Sequence, residues 1–168
     1  ARKLGVDRLA KTAKKFGLGQ KVLTGFNEEK NGVVPNTKWK LKQIGKNWYL
    51  GETLHAGIGQ GYFLSTPLQL CLMTAQLANG GFKIKPRLVI DENDDANNLQ
   101  KFIEFKKENP NDPTSIDLQV FNFNLKPLFR NQENINFVKD AMFAATNEVG
   151  GTSYGSRHRS KEFMFAGK

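Results

Sequence analysis

Gly57-Ile58-Gly59-Gln60-Gly61-Tyr62-Phe63-Leu64-Ser65-Thr66-Pro67-Leu68-Gln69-Leu70 is a glycine-rich turn that runs directly into a helix start. Thr66 offers the hydroxyl of an N-cap. Pro67 has the fixed φ suited to the first helical position, and Gln69 stands three residues after the cap, where its amide can reach back. The body that follows is apolar on nearly all sides, which predicts a buried helix over 67–79, stopped by Asn79-Gly80-Gly81. Gln69, Thr74 and Gln76 interrupt the run, and it is far too short to cross a bilayer. Cys71, the single cysteine, lies in it and reads as a small buried hydrophobe.

Upstream, the stretch from Gly5 to Gly17 predicts a helix over 6–16 with Leu9, Ala13 and Phe16 on one apolar face. Asp7 near its start and Lys14 and Lys15 near its end suit the helix dipole, and Gly17 suits a left-handed stop. From Lys21 to His55 there is little helical period and many turn residues, so an irregular, exposed excursion is expected. Its Trp39, Trp48 and Tyr49 read as packing groups, with contact to a glycan as the alternative.

Downstream, Phe82 to Ile90, with Pro86 inside it, predicts an extended segment at a sheet edge. Asp91 to Asn98 is an acidic, Asn-rich loop. Two imperfectly alternating runs then flank Asn109-Pro110-Asn111-Asp112-Pro113, which predicts a two-stranded insertion at about 91–125. Asn134 is the expected cap of a third helix over 135–149, with Ile135, Val138, Met142 and Ala145 at helical spacing. Lys161 to Gly167 reads as a strand.

A chain of 168 residues with 39% hydrophobic content suits one globular domain. The net charge of +9 raises a nucleic-acid reading. Against it, the lysines are spread along the chain without basic–aromatic repeats or zinc-finger spacing. A solvated lysine-rich surface is the simpler account, and one able to attract anionic lipid or wall polymer. His55 and His158 have no ligand-spaced partner, and Gly150-Gly151-Thr152 has no phosphate-loop continuation, so neither a metal nor a cofactor is expected.

Set in order, several segments resemble the penicillin-binding transpeptidases. They are Phe16-Gly17-Leu18-Gly19-Gln20, Thr24-Gly25, the run from Gly57 to Leu70, Ala78-Asn79-Gly80-Gly81, Gly150-Gly151-Thr152, and Phe163-Met164-Phe165-Ala166-Gly167-Lys168. Gly32-Val33-Val34-Pro35, Trp39-Lys40 and Trp48-Tyr49-Leu50-Gly51-Glu52-Thr53 are similar more narrowly to the monofunctional, elongation-type class B members. Two departures stand out: Thr24-Gly25-Phe26-Asn27-Glu28 lacks the usual acidic-apolar-Pro-Gly-Glu pattern, and His55 sits at a variable place.

The resemblance implies an α+β fold with helices packed on an antiparallel sheet, and a single partial transpeptidase domain over 1–168. It places Gly167-Lys168 at the start of the family's Lys-Thr/Ser-Gly motif, with Lys168 catalytic and Gln60 a candidate at the rim of the substrate cleft. The nucleophile motif, Ser-x-x-Lys, and the second motif, Ser-x-Asn/Asp, are expected N-terminal to such a segment. None of Ser65, Ser115, Ser153, Ser156 and Ser160 has a lysine three residues on. The expectation is therefore a piece of a larger enzyme, inactive alone. Through the parent, the implied ligands are peptidoglycan stem peptides and β-lactams, and the implied partners are membrane proteins of the elongation complex. The implied place is the periplasmic face of the bacterial inner membrane. A cut sheet edge would also favour a homodimer of the segment. A binding or scaffold module derived from the same fold is the alternative.

Overall fold

In α1 (Val6–Lys15) the charges oppose the helix dipole, with Asp7 in the first turn and Lys14 and Lys15 in the last. The computed structural model describes residues 1–23, 27–86, 126–129, 131, 133–160 and 164–167. Val6 and Ala10, one turn apart, are the buried line of α1, while Leu9, Ala13 and Phe16 are half-buried beside it. Gly17 ends the helix at φ +95, and Leu18 then donates to the Ala13 carbonyl at 3.2 Å. That turn drops Leu18 into a small core with Ala10 and Val34, against which Ala13, Phe63 and Met73 pack.

The segment predicted to be an irregular excursion holds two helices, α2 (Thr37–Ile44) and α3 (Leu50–Gly57). Each spans about two turns, too few to show a hydrophobic period, so the signal lies in the caps. Asn36 accepts the Trp39 N–H at 2.7 Å and Gly45 closes α2 in the left-handed conformation at φ 73. Asp7 of α1 accepts both the N–H and the hydroxyl of Thr37, at 3.1 and 3.0 Å, which ties the start of α2 to α1. Glu52 accepts the Tyr49 N–H at 2.7 Å at the start of α3.

Lys40 of α2 is only 2% exposed, so its ammonium has left water and needs compensation. Glu52 supplies the charge through a 2.5 Å ion pair. Three rings supply π-faces: Tyr49 at 4.5 Å, Trp48 at 5.9 Å and Tyr62 at 6.0 Å from Nζ. Trp48 is fixed in turn by its indole N–H, which donates to the buried Thr53 hydroxyl at 2.9 Å. Tyr62 stacks with Trp39 at 5.4 Å between centroids. Trp39, Trp48 and Tyr62 are therefore engaged with one another, while Tyr49 meets the Lys40 ammonium and is otherwise largely exposed.

α4 (Pro67–Ala78) begins as the sequence dictates, with Thr66 accepting the Gln69 N–H at 3.2 Å and the Gln69 amide oxygen accepting the Thr66 N–H at 3.2 Å. Its burial is not all-round. The buried line is Gln69, Leu72 and Gln76, while Leu70 and Cys71 are exposed. Cys71 is thus a surface thiol and not a buried hydrophobe. Gln69 is fully enclosed, and its amide nitrogen donates to the carbonyls of Gln20 at 2.8 Å and Asn31 at 2.9 Å. Gln76 likewise donates to the Phe16 carbonyl at 3.0 Å and accepts the Ile84 N–H at 3.2 Å.

α5 (Glu133–Asn147) packs against α4. Its start is capped by Asn131, which accepts the Glu133 N–H at 2.8 Å, and not by Asn134, which lies inside the helix. Ile135 and Thr146 are buried and Val138 is exposed. Extended pairing among the described residues is confined to two antiparallel bridges, Val33 with Leu64 and Phe82 with Pro127. At the first, the carbonyl of Leu64 would meet any Cβ on Gly32, whose φ is +64. The strand predicted over 82–90 is described only to Pro86, and that over 161–167 only from Met164, where no strand is assigned. The expected sheet packing is not seen among the described residues, which are mainly helical. The two-stranded insertion expected at about 91–125 lies outside them.

Gln69→Leu keeps the volume but strands the carbonyls of Gln20 and Asn31 and the N–H of Thr66. Unfolding free energy should fall by about 3 kcal/mol, the scale of roughly 1–3 kcal/mol for each buried group left unpaired, read by urea denaturation. The second expectation concerns acid. Partial burial of Glu52 would raise its pKa from 4.5, but the hydrogen bond and charge of Lys40 and the Tyr49 N–H outweigh it, and the folded value is lowered. Its stabilisation is therefore complete above the unfolded value and disappears as pH falls through the lowered folded one. Thermal melts of wild type and Glu52→Gln between pH 7 and pH 3 should converge at the acid end; a constant gap across that range would contradict the ion pair's role.

Candidate functional site

Two described places carry the candidate residues. The first is the C-terminal segment 164–167, seated on α5. The Gly167 N–H donates to the Met142 carbonyl at 2.9 Å, and Asn147 of α5 donates from its side chain to the Phe165 carbonyl at 2.9 Å. A Cβ on Gly167 would collide with Oγ1 of Thr146. Thr146 is fully enclosed and its hydroxyl has no hydrogen-bond partner among the described residues. In a helix such a hydroxyl usually returns to the carbonyl one turn back. Here that carbonyl, of Met142, already receives the Gly167 N–H. The end of α5 also holds the chain that follows it: Ser153 donates its N–H to the Ala145 carbonyl at 2.9 Å. Lys168, the residue after Gly167 and the expected catalytic lysine, lies outside the described residues.

The second place is the turn around Gln60. Gly59 and Gly61 adopt φ 75 and φ 80, and the Gln60 N–H donates to the His55 carbonyl at 2.9 Å at the end of α3. Gln60 itself is exposed. The turn's far side is anchored by Tyr62 in the Lys40 cage. No described contact joins Gln60 to the C-terminal segment. α4 links the two places, because it starts just beyond this turn and packs against α5.

Among the described residues there is no group of three His, Cys, Asp or Glu placed to hold a metal. His158 accepts the Ser160 N–H at 3.1 Å in the loop after the 3₁₀ turn Tyr154–Ser156. Ser115-Ile116-Asp117 has the Ser-x-Asp spacing of the second motif, although that motif is expected N-terminal to the segment; it lies within the expected insertion, outside the described residues. The residues that sequence reading missed are Lys40, Glu52 and Thr146. The first two were legible only as members of the stretches Trp39-Lys40 and Trp48 to Thr53 that carry the family resemblance, with no sign of their pairing; Thr146 looked like an ordinary helical position.

The family profile described as the penicillin binding protein transpeptidase domain matches residues 1–168. The chain is 30% identical over 151 residues to the peptidoglycan D,D-transpeptidase MrdA of Escherichia coli K12, covering 90% of this chain and 21% of that protein. Over 89 residues it is 38% identical to MrdA of Salmonella typhimurium LT2, covering 53% of this chain and 14% of that protein. The fold is similar to PBP2 of Helicobacter pylori in its complex with MreC, with a TM-score of 0.70, 26% identity, and coverage of 98% of this chain and 26% of that one. It is also similar to Pseudomonas aeruginosa PBP2 in complex with WCK 5153, with a TM-score of 0.61, 30% identity, and coverage of 92% and 30%. The chain spans about a fifth of the length of the Escherichia coli relative. Matched from end to end by one profile and folded like the PBP2 structures, the chain belongs to the penicillin-binding protein transpeptidase family.

Proposed function

We propose that these 168 residues are part of the transpeptidase domain of an elongation-type enzyme that crosslinks peptidoglycan. The observation that carries the reading is the end-to-end match to the transpeptidase profile, with similarity to MrdA proteins over 90% of the chain in the Escherichia coli case. In this reading a serine outside the segment attacks the penultimate D-Ala carbonyl of a stem peptide and expels D-Ala. An amine of a second stem then resolves the acyl-enzyme into the crosslink. Splitting the transfer into two steps is what covalent catalysis contributes. β-Lactams acylate the same serine.

Lys168 acts as the cation that binds the donor carboxylate and polarises the second motif, and the seat of Gly167 on α5 supports that role by fixing where the lysine begins. Gln60 rims the cleft. The segment alone has no Ser-x-x-Lys and does not acylate. The parent works at the periplasmic face of the inner membrane within an elongation complex; the solved PBP2–MreC complex supports a partner of the MreC kind. No helix among the described residues is long and apolar enough to cross a membrane. Exposed Leu50 and Leu54, one turn apart on α3, and exposed Ile58 just after it support self-association of the isolated segment.

Incubation with a fluorescent penicillin tests the reading. The isolated segment should take no covalent label and should scatter light as a dimer or larger; the full-length protein should label once per chain. In the full-length protein Lys168→Ala should slow acylation by about two to three orders of magnitude, the scale of one lost preorganised electrostatic contact. Stoichiometric labelling of any of the five serines in the isolated segment would overturn the assignment.

The Thr146 contact yields a sharper expectation. Gly167→Ala should slow acylation about 10- to 100-fold by displacing the lysine that follows. Thr146→Ala in the same chain removes the colliding hydroxyl and should restore most of the rate. Equal slowing with and without the Thr146 change would show that the seat does not position the motif.

A further inference from the structure

Six lysines, Lys14, Lys15, Lys21, Lys83, Lys85 and Lys126, rim a cleft of about 730 Å³ formed by the end of α1, the face of α4 and the two chain segments 83–86 and 126–128. No Asp or Glu is found among the described residues that line it. Its floor is apolar, made by Val22, Leu72, Ile84 and Leu128. The walls are tied to one another. Gln76 bonds the Phe16 carbonyl and the Ile84 N–H, the Lys83 N–H donates to the Lys126 carbonyl at 2.8 Å, and the Leu128 N–H donates to the Gly81 carbonyl at 2.9 Å.

Two of the six ammoniums are engaged within the chain. Lys15 donates to the Leu128 carbonyl at 3.3 Å and lies 4.9 Å from the Phe129 ring, and Lys21 donates to the Asn27 carbonyl at 3.0 Å. The only ion pair among the described residues is Lys40–Glu52, remote in kind from this cleft, so Lys14, Lys83, Lys85 and Lys126 have no carboxylate partner among them. Gathering like charges in one recess raises its potential and attracts a counter-charged ligand.

The lining also discriminates between anions. No arginine is among the described residues that line the cleft, so these supply no planar two-point grip of the kind suited to phosphate. No aromatic ring is among the described residues that line it, so these offer bases nothing to stack on. It is recessed and apolar at its base, unlike a face that lies flat on a lipid surface. Its volume falls in the range of about 300–1,000 Å³ common for pockets that enclose small ligands. A ligand that alternates carboxylates with short apolar side chains meets both the rim and the floor. We propose that this cleft binds an acidic peptide segment of a partner protein, with carboxylates on the lysine rim and apolar side chains on Leu72, Ile84 and Leu128.

The test is fluorescence anisotropy of labelled Ac-Glu-Leu-Glu-Ala-Glu-Leu-Glu-NH₂ with the full-length protein at low and high salt. Binding should be saturable and weaken with salt. Joint replacement Lys83→Gln, Lys85→Gln and Lys126→Gln should raise Kd by on the order of tenfold or more, with an unchanged thermal melt and unchanged penicillin acylation. Lys85→Gln and Lys126→Gln alone, each expected to raise Kd by about two- to threefold, serve if the triple variant does not fold. Equal binding of the all-Gln counterpart peptide would overturn the proposal. So would tighter binding of a dT₂₀ oligonucleotide or of phosphatidylglycerol vesicles that is lost in the same variant. Binding that appears only after Asp91, Glu92, Asp94 and Asp95 are neutralised would also overturn it, by assigning the cleft to the chain's own acidic run. Because acylation is measured separately, failure here leaves the proposed enzyme activity untouched, and the reverse holds as well.

Discussion

The amide of Gln69 is the tie on which the described fold depends. It is fully enclosed, and each of its hydrogen-bonding groups meets backbone: Gln20 after α1, Asn31 before α2, and Thr66 at the start of α4. Irregular loops carry backbone groups that cannot be buried unless something pairs them. Gln69 pairs them from a rigid helix. Gln76, two turns further along the same face, does so again for Phe16 and Ile84. The apolar core beside them is small, with Ala10, Leu18 and Val34 at its centre. A helix face that looks as though it should pack with leucines instead fastens the surrounding loops by hydrogen bonds.

Lys40 plays the corresponding part for α2, α3 and the turn that leads to α4. A buried ammonium is stable only where its lost hydration is replaced. Glu52 and three aromatic rings replace it, and these four groups come from three local pieces of chain: the start of α3, the segment before it, and the turn after Gly61. The lysine therefore helps fix the relative placement of these pieces, alongside the ring contacts of Tyr62 with Trp39 and Trp48. Since Tyr62 belongs to this cage, the Gly59-Gln60-Gly61 turn is held on one side by Lys40 and on the other by the end of α3.

The charge of the chain looks different once folded. Read along the sequence, the lysines are scattered and suit a solvated surface. In three dimensions one of them is buried, and six others converge on a single cleft because Gln76 and the Phe82–Pro127 bridge draw α1, α4 and two distant segments together. Cys71 shows the reverse effect: an apolar neighbourhood in sequence becomes an exposed position, because the glutamines occupy the inward face of α4.

The sequence by itself determined the local events. Thr66, Pro67 and Gln69 set the start of α4, Gly17 the end of α1, and the ordered motifs from Phe16 to Gly81 pointed to the family to which the chain belongs. These signals are local because capping and left-handed turns are decided within a few residues. α2 and α3 were missed because about two turns give no period to read, and their stability comes from Asp7 and from the Lys40 cage, which are tertiary. Only the folded structure decided which face of α4 is buried, that Lys40 is enclosed, and that Thr146 fills the space beside Gly167. The physical reason is the same in each case: burial of a polar side chain is stable only when a partner distant in sequence is brought within hydrogen-bonding or van der Waals reach, and nothing in a linear string records that distance.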